Sequence, residues 1–145
     1  MKINSLKTNA AAAAEGRWVK DLPGLGNIEL KVRGTNNPEF RRRQQAMYRA
    51  LPPAKRNKGV IDPVEQDRIL GVCLLDHCLL DWRNVEDETG APIPFSRAAA
   101  EPFLTDPDYS TFRDGVLTAA SSVDDEDGEA EAETEKNSSR PSATT

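Results

Sequence analysis

The alternation of apolar and polar residues changes its period once along the chain, near residue 37. Before that point, residues 16–22 and 27–33 alternate roughly between apolar and polar, with a Pro-Gly-Leu-Gly turn at 23–26 between them. This pattern predicts a β-hairpin over residues 16–33, because successive side chains of a strand point to opposite faces. An isolated hairpin is marginally stable in water, so we expect it to pack on helices or on another chain. The residues expected on its buried face are Trp18, Ile28, Leu30 and Val32.

After residue 37 the apolar positions follow helical spacing, and capping residues mark where the helices begin. Asn37, Asp62 and Asp106 each stand directly before a proline, which fits the first turn of a helix, and Ser96 is a fourth capping residue. The helix over 63–82 is apolar on more than one face, so we expect it to be central, with neighbours on at least two sides. The predicted helices span residues 37–51, 63–82, 96–104 and 107–120.

The two ends of the chain do not have the composition of a folded core. Residues 1–15 combine a polar lead with a run of alanines, and we expect them to be a flexible or marginally helical lead. Residues 123–145 are acidic and nearly free of large apolar side chains, so they cannot offset the entropy cost of folding. The sequence therefore predicts one globular domain over 16–122, mainly α with an N-terminal β-hairpin (α+β), followed by a disordered acidic C-terminal tail.

Charge is segregated along the chain. The formal net charge is -5, yet residues 31–58 are strongly basic and residues 62–89 are strongly acidic. A basic half and an acidic half in one small domain suit oriented protein–protein contacts or self-association. The basic run at Arg41, Arg42 and Arg43 could also meet nucleic-acid phosphates, but no recognition module is visible and the protein is acidic overall. A solvated face or an acidic protein partner is the preferred interpretation.

The candidate chemistry is sparse. Cys73, His77 and Asp81 could share a helix face and hold a metal, but structural zinc uses four ligands and no second cysteine pair exists. Cys73 and His77 also lack an orienting third group for a catalytic dyad. Cys78 lies five residues after Cys73, an offset that does not favour a disulfide. We therefore predict no enzyme activity, no catalytic residue, no metal site and no cofactor.

No stretch approaches the roughly 20 apolar residues needed to span a bilayer. The alanine run at 10–14 is too short and too weakly apolar for the core of a signal peptide. We expect no membrane association and a cytoplasmic location in the cell that makes the protein.

Several short motifs together resemble the small tail assembly chaperones of long-tailed phages and prophages. They are Trp18 in the first predicted strand, GNIELKVRG at 26–34, NNPEFRRR at 36–43, LLDW at 79–82 and VEDETGAPIPFS at 85–96. The likeness covers roughly residues 16–116 and leaves out the acidic tail.

The resemblance implies a non-enzymatic protein that binds the tape measure protein and brings major tail tube subunits to it during tail morphogenesis in the host cytoplasm. Many relatives also have a longer product made by ribosomal frameshifting. The alternative is a small nucleic-acid-binding accessory protein that uses residues 31–58. The residues expected to contact partners are Trp18, Arg41, Arg42, Arg43, Trp82, Pro92, Pro94 and Phe95.

Overall fold

Helices dominate the structure, a computed structural model that describes residues 1–6, 10–57 and 59–138, with side chains except at 5, 12, 57 and 125–138. The predicted class, mainly α with an N-terminal β-hairpin, is confirmed. No helix in these ranges is long and apolar enough to cross a membrane. The α-helices of the described residues are α1 (Ala10–Glu15), α2 (Pro38–Ala50), α3 (Pro63–His77), α4 (Arg97–Thr105) and α5 (Ser110–Ser138).

The predicted capping residues act as caps. The side chains of Asn37, Asp62 and Ser96 each accept a hydrogen bond from a backbone N–H two or three residues later, at the starts of α2, α3 and α4. Asp106 does the same for a short 3-10 turn that leads into α5. These starts were predictable because a cap satisfies N–H groups that lie within its own helix turn.

A small antiparallel sheet lies beside the helices, with β2 as its central strand. The predicted hairpin is confirmed, since β1 pairs with β2. The other edge of β2 pairs with β5, placing Leu30 opposite Trp82. The sheet strands are β1 (Arg17–Val19), β2 (Glu29–Val32) and β5 (Leu79–Arg83), and a separate small hairpin contains β3 (Arg56–Asn57) and β4 (Val60–Ile61).

The prediction of one helix over 63–82 was wrong at its C-terminal end. Helix α3 ends at His77, and the apolar residues after it belong to strand β5. A short run of buried apolar residues fits a helix and a strand equally well, so its pattern alone could not distinguish them. Pairing with β2 decides the outcome, because β5 satisfies the N–H and C=O groups along the free edge of β2.

Helix α3 is the central helix of the fold. It packs against α2 on one side and α4 on another, and its residues Ile69, Cys73 and Leu74 are fully buried. The approach of α4 is close at Gly71, where an added Cβ would lie 2.1 Å from the carbonyl oxygen of Leu104. The expected central helix, with neighbouring helices packed on it, is therefore confirmed for the part of residues 63–82 that forms α3.

The N-terminal lead packs more extensively than its composition predicted. Residues 10–15 form α1, in which Ala13 is buried against the rest of the fold and α1 contacts α5. The carbonyl groups of Ala13 and Ala14 accept hydrogen bonds from the backbone of Gly34 and the guanidinium of Arg33. Backbone hydrogen bonds and the buried Ala13 side chain hold this segment, which is helical as one of the two alternatives allowed. Residues 7–9 lie outside the described residues.

The C-terminal helix continues past its predicted end at 120. Val123 is fully buried, and the Asp124 carboxylate accepts hydrogen bonds from the Thr35 hydroxyl and the Asn36 backbone. The packed part of the fold therefore includes the first two residues of the segment predicted as a tail; α5 extends to Ser138, and residues 139–145 lie outside the described residues. The apolar pattern that marks the continuation of α5 past residue 120 is weak, because small side chains provide most of its buried face. The buried residues of that face are Val116, Ala119, Ala120 and Val123.

Candidate protein-interaction surfaces

An acidic turn follows β5 and is held by one carboxylate. Asp87 Oδ1 accepts hydrogen bonds from the Thr89 hydroxyl (2.6 Å), the Thr89 N–H (2.8 Å) and the Ala91 N–H (3.1 Å). The bond from the Thr89 hydroxyl, followed by those from the two backbone groups, holds the pKa of Asp87 below its usual range. The ionised side chain therefore holds the turn more strongly than the protonated one, and it brings negative charge to this surface.

The extended arm that follows, residues 91–95, packs against Trp82. The Trp82 Nε1–H donates to the Ile93 carbonyl oxygen at 2.7 Å, and the Ile93 N–H donates to the Val85 carbonyl oxygen at 2.8 Å. The Phe95 ring meets the Trp82 ring edge-on, with centroids 5.1 Å apart. These contacts tie the arm to the sheet, although the arm itself contains no regular secondary structure.

Trp82 is a core residue and does not present its ring to a partner. Its side chain is 5% exposed and lies within 6.0 Å, centroid to centroid, of Phe95, Phe103 and Phe112. The prediction of a partner contact at Trp82 is corrected on this ground, because a buried ring is not available at the surface. Pro92 and Pro94 are exposed and Phe95 is half-buried, so the arm itself can still meet a partner.

A groove of about 470 Å³ lies between the acidic turn and the start of α5. Its apolar floor contains Ile93, Phe103 and Tyr109, and Tyr109 is 44% exposed. We call it the acidic groove; the remaining residues lining it are Glu86, Asp87, Glu88 and Thr89.

None of the seven described residues that line this groove was among the predicted partner contacts, and Phe103 and Tyr109 had no predicted surface role. Both were assigned to helices, and their rings meet at 4.8 Å across the junction between α4 and α5. A signal was available, since Tyr109 stands three residues after the cap Asp106 and therefore in the first turn of the next element. The pairing of the two rings depends on the bend between α4 and the 3-10 turn that contains Tyr109, which the sequence pattern does not contain.

A basic surface lies on α2. Arg41, Arg42 and Arg43 are exposed, and Arg43 makes one long ion pair of 3.7 Å with Asp76 of α3. We call these three arginines the basic face. Near the end of α2 is a second groove of about 430 Å³, lined by Met47, Ala50, Leu51, Pro52, Lys55, Glu65 and Arg68.

The acidic groove and the basic face are built from different elements. The basic face is on α2, whereas the groove is formed by the turn, the arm, α4 and the 3-10 turn before α5. The residues predicted to contact partners are therefore not brought together in one site.

Trp18 lies apart from both surfaces, on the outer face of the sheet. It pairs with Lys31 of β2, which faces away from the side that buries Leu30 and Val32. The Arg83 guanidinium carbon lies 3.8 Å from the centre of the Trp18 ring, in a cation–π contact. The prediction that Trp18 shares the buried face was wrong, because the strand register places it one position out of phase with Leu30.

The two thiols lie in the protein interior. Desolvation by burial raises the pKa of Cys73 to about 11 and that of Cys78 to about 12, so both stay protonated at neutral pH. Both are free cysteines. Within the described part of the chain, no group of three or more His, Cys, Asp or Glu side chains is arranged to hold a metal ion.

A family model for the YdaY prophage protein matches residues 35–137, more than two thirds of the chain. The chain belongs to the YdaY prophage protein family. The matched region runs from the residues before α2 into the last turns of α5, so it contains both the acidic groove and the basic face, whereas the hairpin precedes it. The phage or prophage origin expected from the sequence motifs is thereby confirmed.

No curated protein and no solved structure matches the chain.

Proposed function

We propose that this prophage protein is a non-enzymatic tail assembly chaperone, which binds the tape measure protein and recruits tail tube subunits during tail morphogenesis in the host cytoplasm. Membership of a prophage family supports a role in the life of a phage. The motifs at 26–34, 36–43, 79–82 and 85–96 support the tail assembly role, because together they resemble those of tail assembly chaperones.

The separation of two surfaces of opposite charge is the observation that carries the proposal. A protein that brings one partner to another needs two contact surfaces that can be occupied together. The acidic groove and the basic face meet this need, since different elements carry them and they share no residue. Opposite charge on the two surfaces would also help each partner to choose its own surface, because a like-charged contact is unfavourable.

Co-expression tests the proposal. The full chain, tagged, is produced together with the tape measure protein and the tail tube subunit encoded by the same prophage. We expect both proteins to co-purify with the chain, and the tube subunit to associate with the tape measure protein only when the chain is present. Failure of both proteins to co-purify would refute the chaperone role.

A charge reversal then tests whether the basic face is one of the two contact surfaces. Arg42→Glu should remove one of the partners and leave the other bound. Lys20→Glu changes the net charge by the same amount at an exposed position in the connection between β1 and β2, so it is the matched control. Equal binding by the two variants would exclude the basic face from the interaction.

The second candidate function is nucleic-acid binding by the basic face. The exposure of Arg41, Arg42 and Arg43 on one helix favours it. Binding of this kind weakens steeply with salt, because phosphate contacts release counterions. A salt-sensitive shift of DNA or RNA in a gel, lost on changing the three arginines to glutamate, would favour this function over the chaperone.

A further inference from the structure

We infer that the acidic groove binds a segment of the partner protein that has one large apolar side chain and lysine or arginine beside it. The inference deepens the proposed function and rests on it for the identity of the partner, the tape measure protein. The chemistry of the segment follows from the groove alone.

The floor of the groove explains the apolar side chain. Ile93, Phe103 and Tyr109 present an apolar surface, and the volume of about 470 Å³ is enough for a leucine, phenylalanine or tryptophan side chain. Tyr109 is 44% exposed although its ring packs on Phe103, so covering it would remove apolar surface from water.

The floor is also preformed. Phe103 packs on Trp82 at 5.9 Å between centroids, and the Ile93 carbonyl oxygen is held by the Trp82 indole N–H. A site that is already rigid loses little conformational entropy when it is occupied, which favours binding.

The rim explains the preference for lysine or arginine. Glu86, Asp87 and Glu88 line one side of the groove, and all three are exposed. No basic side chain in the described part of the chain lines it. Among the described residues, no ion pair joins any of these three carboxylates to a lysine or arginine. Asp106 and Asp108 add further negative charge next to Tyr109 in the chain. A cationic side chain beside the apolar anchor would therefore be attracted, and an acidic segment or a nucleic acid would be repelled.

Two peptides test this chemistry. Both have 15 residues on one alanine-rich helical scaffold with a central tryptophan and leucine; one flanks them with lysines and the other with glutamates. We expect the lysine peptide to bind the full-length protein and to shift the NMR signals of Ile93, Phe103 and Tyr109, and the glutamate peptide to leave them unchanged. Equal binding of both peptides, or shifts confined to α2, would overturn the inference.

Charge reversal at the rim gives the matched comparison. The double variant Glu86→Lys with Glu88→Lys should lower the affinity for the lysine peptide by about tenfold or more, because two attractive contacts become repulsive. Both side chains are exposed, so the fold should be unaffected, and the melting temperature checks this. Glu101→Lys and Lys20→Glu are controls, because each reverses one exposed charge outside the groove. Unchanged affinity in the double variant would refute the role of the rim.

The same variants separate this inference from the proposed function. If the tape measure protein still co-purifies with the double variant, the chaperone role stands and the groove is not its contact. If the lysine peptide binds the groove but the tape measure protein never co-purifies, the groove chemistry stands and the chaperone role falls. Self-association in sedimentation that the double variant abolishes would instead make a second copy the occupant, which would overturn the inference.

Discussion

At the scale of single residues, Trp82 connects parts of the molecule that are distant in sequence. It pairs with Leu30 across the sheet, contacts Phe95 of the arm, Phe103 of α4 and Phe112 of α5, and binds the backbone of Ile93. The acidic groove therefore depends on this one ring, which supports its floor from below.

Removing the ring should destabilise the whole fold. Trp82→Ala is expected to lower the free energy of unfolding by about 3–5 kcal/mol, since the ring is buried and its loss leaves a cavity. Trp82→Phe is the control: it keeps an aromatic ring but leaves the Ile93 carbonyl oxygen without its donor, and we expect a smaller loss. Urea unfolding measures both, and a loss below about 1 kcal/mol for Trp82→Ala would contradict this account.

Arg113 is a buried charge with incomplete bonding. Its side chain is 10% exposed, its nearest acids Asp67 and Asp114 lie 3.8 and 3.7 Å away, and its Nε has no hydrogen-bond partner among the described residues. We expect Arg113→Met to leave stability unchanged or to raise it by about 1–4 kcal/mol, because an apolar chain of similar length avoids the desolvation penalty. Thermal unfolding measures the change, and a clear loss would show that the long ion pairs are net stabilising. Arg113→Ala, which leaves a cavity, should lose stability.

The buried thiols should make the protein less stable in alkali. The unfolded chain loses their protons from pH 9.0 upward, whereas the folded protein keeps them until about pH 11 for Cys73 and 12 for Cys78. Stability is therefore intact below pH 9.0 and falls above it, by up to about 1.4 kcal/mol per pH unit for each thiol. Urea unfolding at pH 8, 9 and 10 should show a shallower decline for the Cys73→Ala, Cys78→Ala double variant; identical slopes would contradict the prediction.

At the scale of elements, the crossing of α3 and α4 depends on the absence of a side chain at Gly71. In an exposed helix interior, Gly→Ala stabilises by up to about 1 kcal/mol. At Gly71 the new Cβ would lie 2.1 Å from a backbone oxygen of Leu104, and backbone cannot move aside as a side-chain tip can. The helices would have to separate.

Gly71→Ala should therefore destabilise the protein by about 1–3 kcal/mol, as overpacking does. Gly115→Ala in α5 is the matched comparison, because its new Cβ would meet the side chain of Leu25, with Cδ1 at 2.4 Å, and a leucine can change rotamer. We expect Gly115→Ala to lower the free energy of unfolding by less than Gly71→Ala does. Denaturant unfolding of both variants decides, and a larger loss at Gly115 would contradict the argument.

Element starts and the local hairpin of β1 and β2 were predictable from the sequence, and the distant partner strand β5 was not. Asn37, Asp62 and Ser96 act on N–H groups within three residues, so their effect is present in the local sequence. Whether residues 79–83 become helix or strand depends on β2, about 50 positions earlier in the chain, and no local pattern contains that information. The face of the sheet on which Trp18 lies could not be predicted either, because it depends on the register between β1 and β2.

For the candidate surfaces too, features that depend on neighbouring residues could be predicted, and features that depend on tertiary contacts could not. The exposure of Arg41, Arg42 and Arg43 could be predicted from helical spacing and charge, and so could an acidic turn near Asp87. The groove could not, because the contact of Phe103 with Tyr109 depends on the bend between α4 and the 3-10 turn that follows it.

At the scale of the whole molecule, the two ends of the chain are joined. Helix α1 packs on α5, and Asp124 of α5 binds Thr35 and Asn36 just before α2. Gly34 permits this approach, since an added Cβ there would lie 2.1 Å from an Asp124 carboxylate oxygen.

Truncation should locate the end of the folded unit. Ending the chain after Gly128 keeps Val123 and Asp124, and we expect a melting temperature close to that of the full chain. Ending it after Ser122 removes a fully buried valine and both bonds of Asp124, and we expect a clear drop. Differential scanning calorimetry of both truncations tests this, and equal melting temperatures would show that residues 123 and 124 do not contribute.

The junction of the two ends also determines when this protein can finish folding during its synthesis. The bond between Thr35 and Asp124 joins residues 89 positions apart, so the ribosome must make most of the chain before it can form. Contacts of long sequence separation form late, because closing a long loop costs entropy before the contact compensates for it. Until then, the nascent hairpin exposes the apolar face of Leu30 and Val32. We expect that face to stay accessible to water until α5 has been made, because α5 packs on β2.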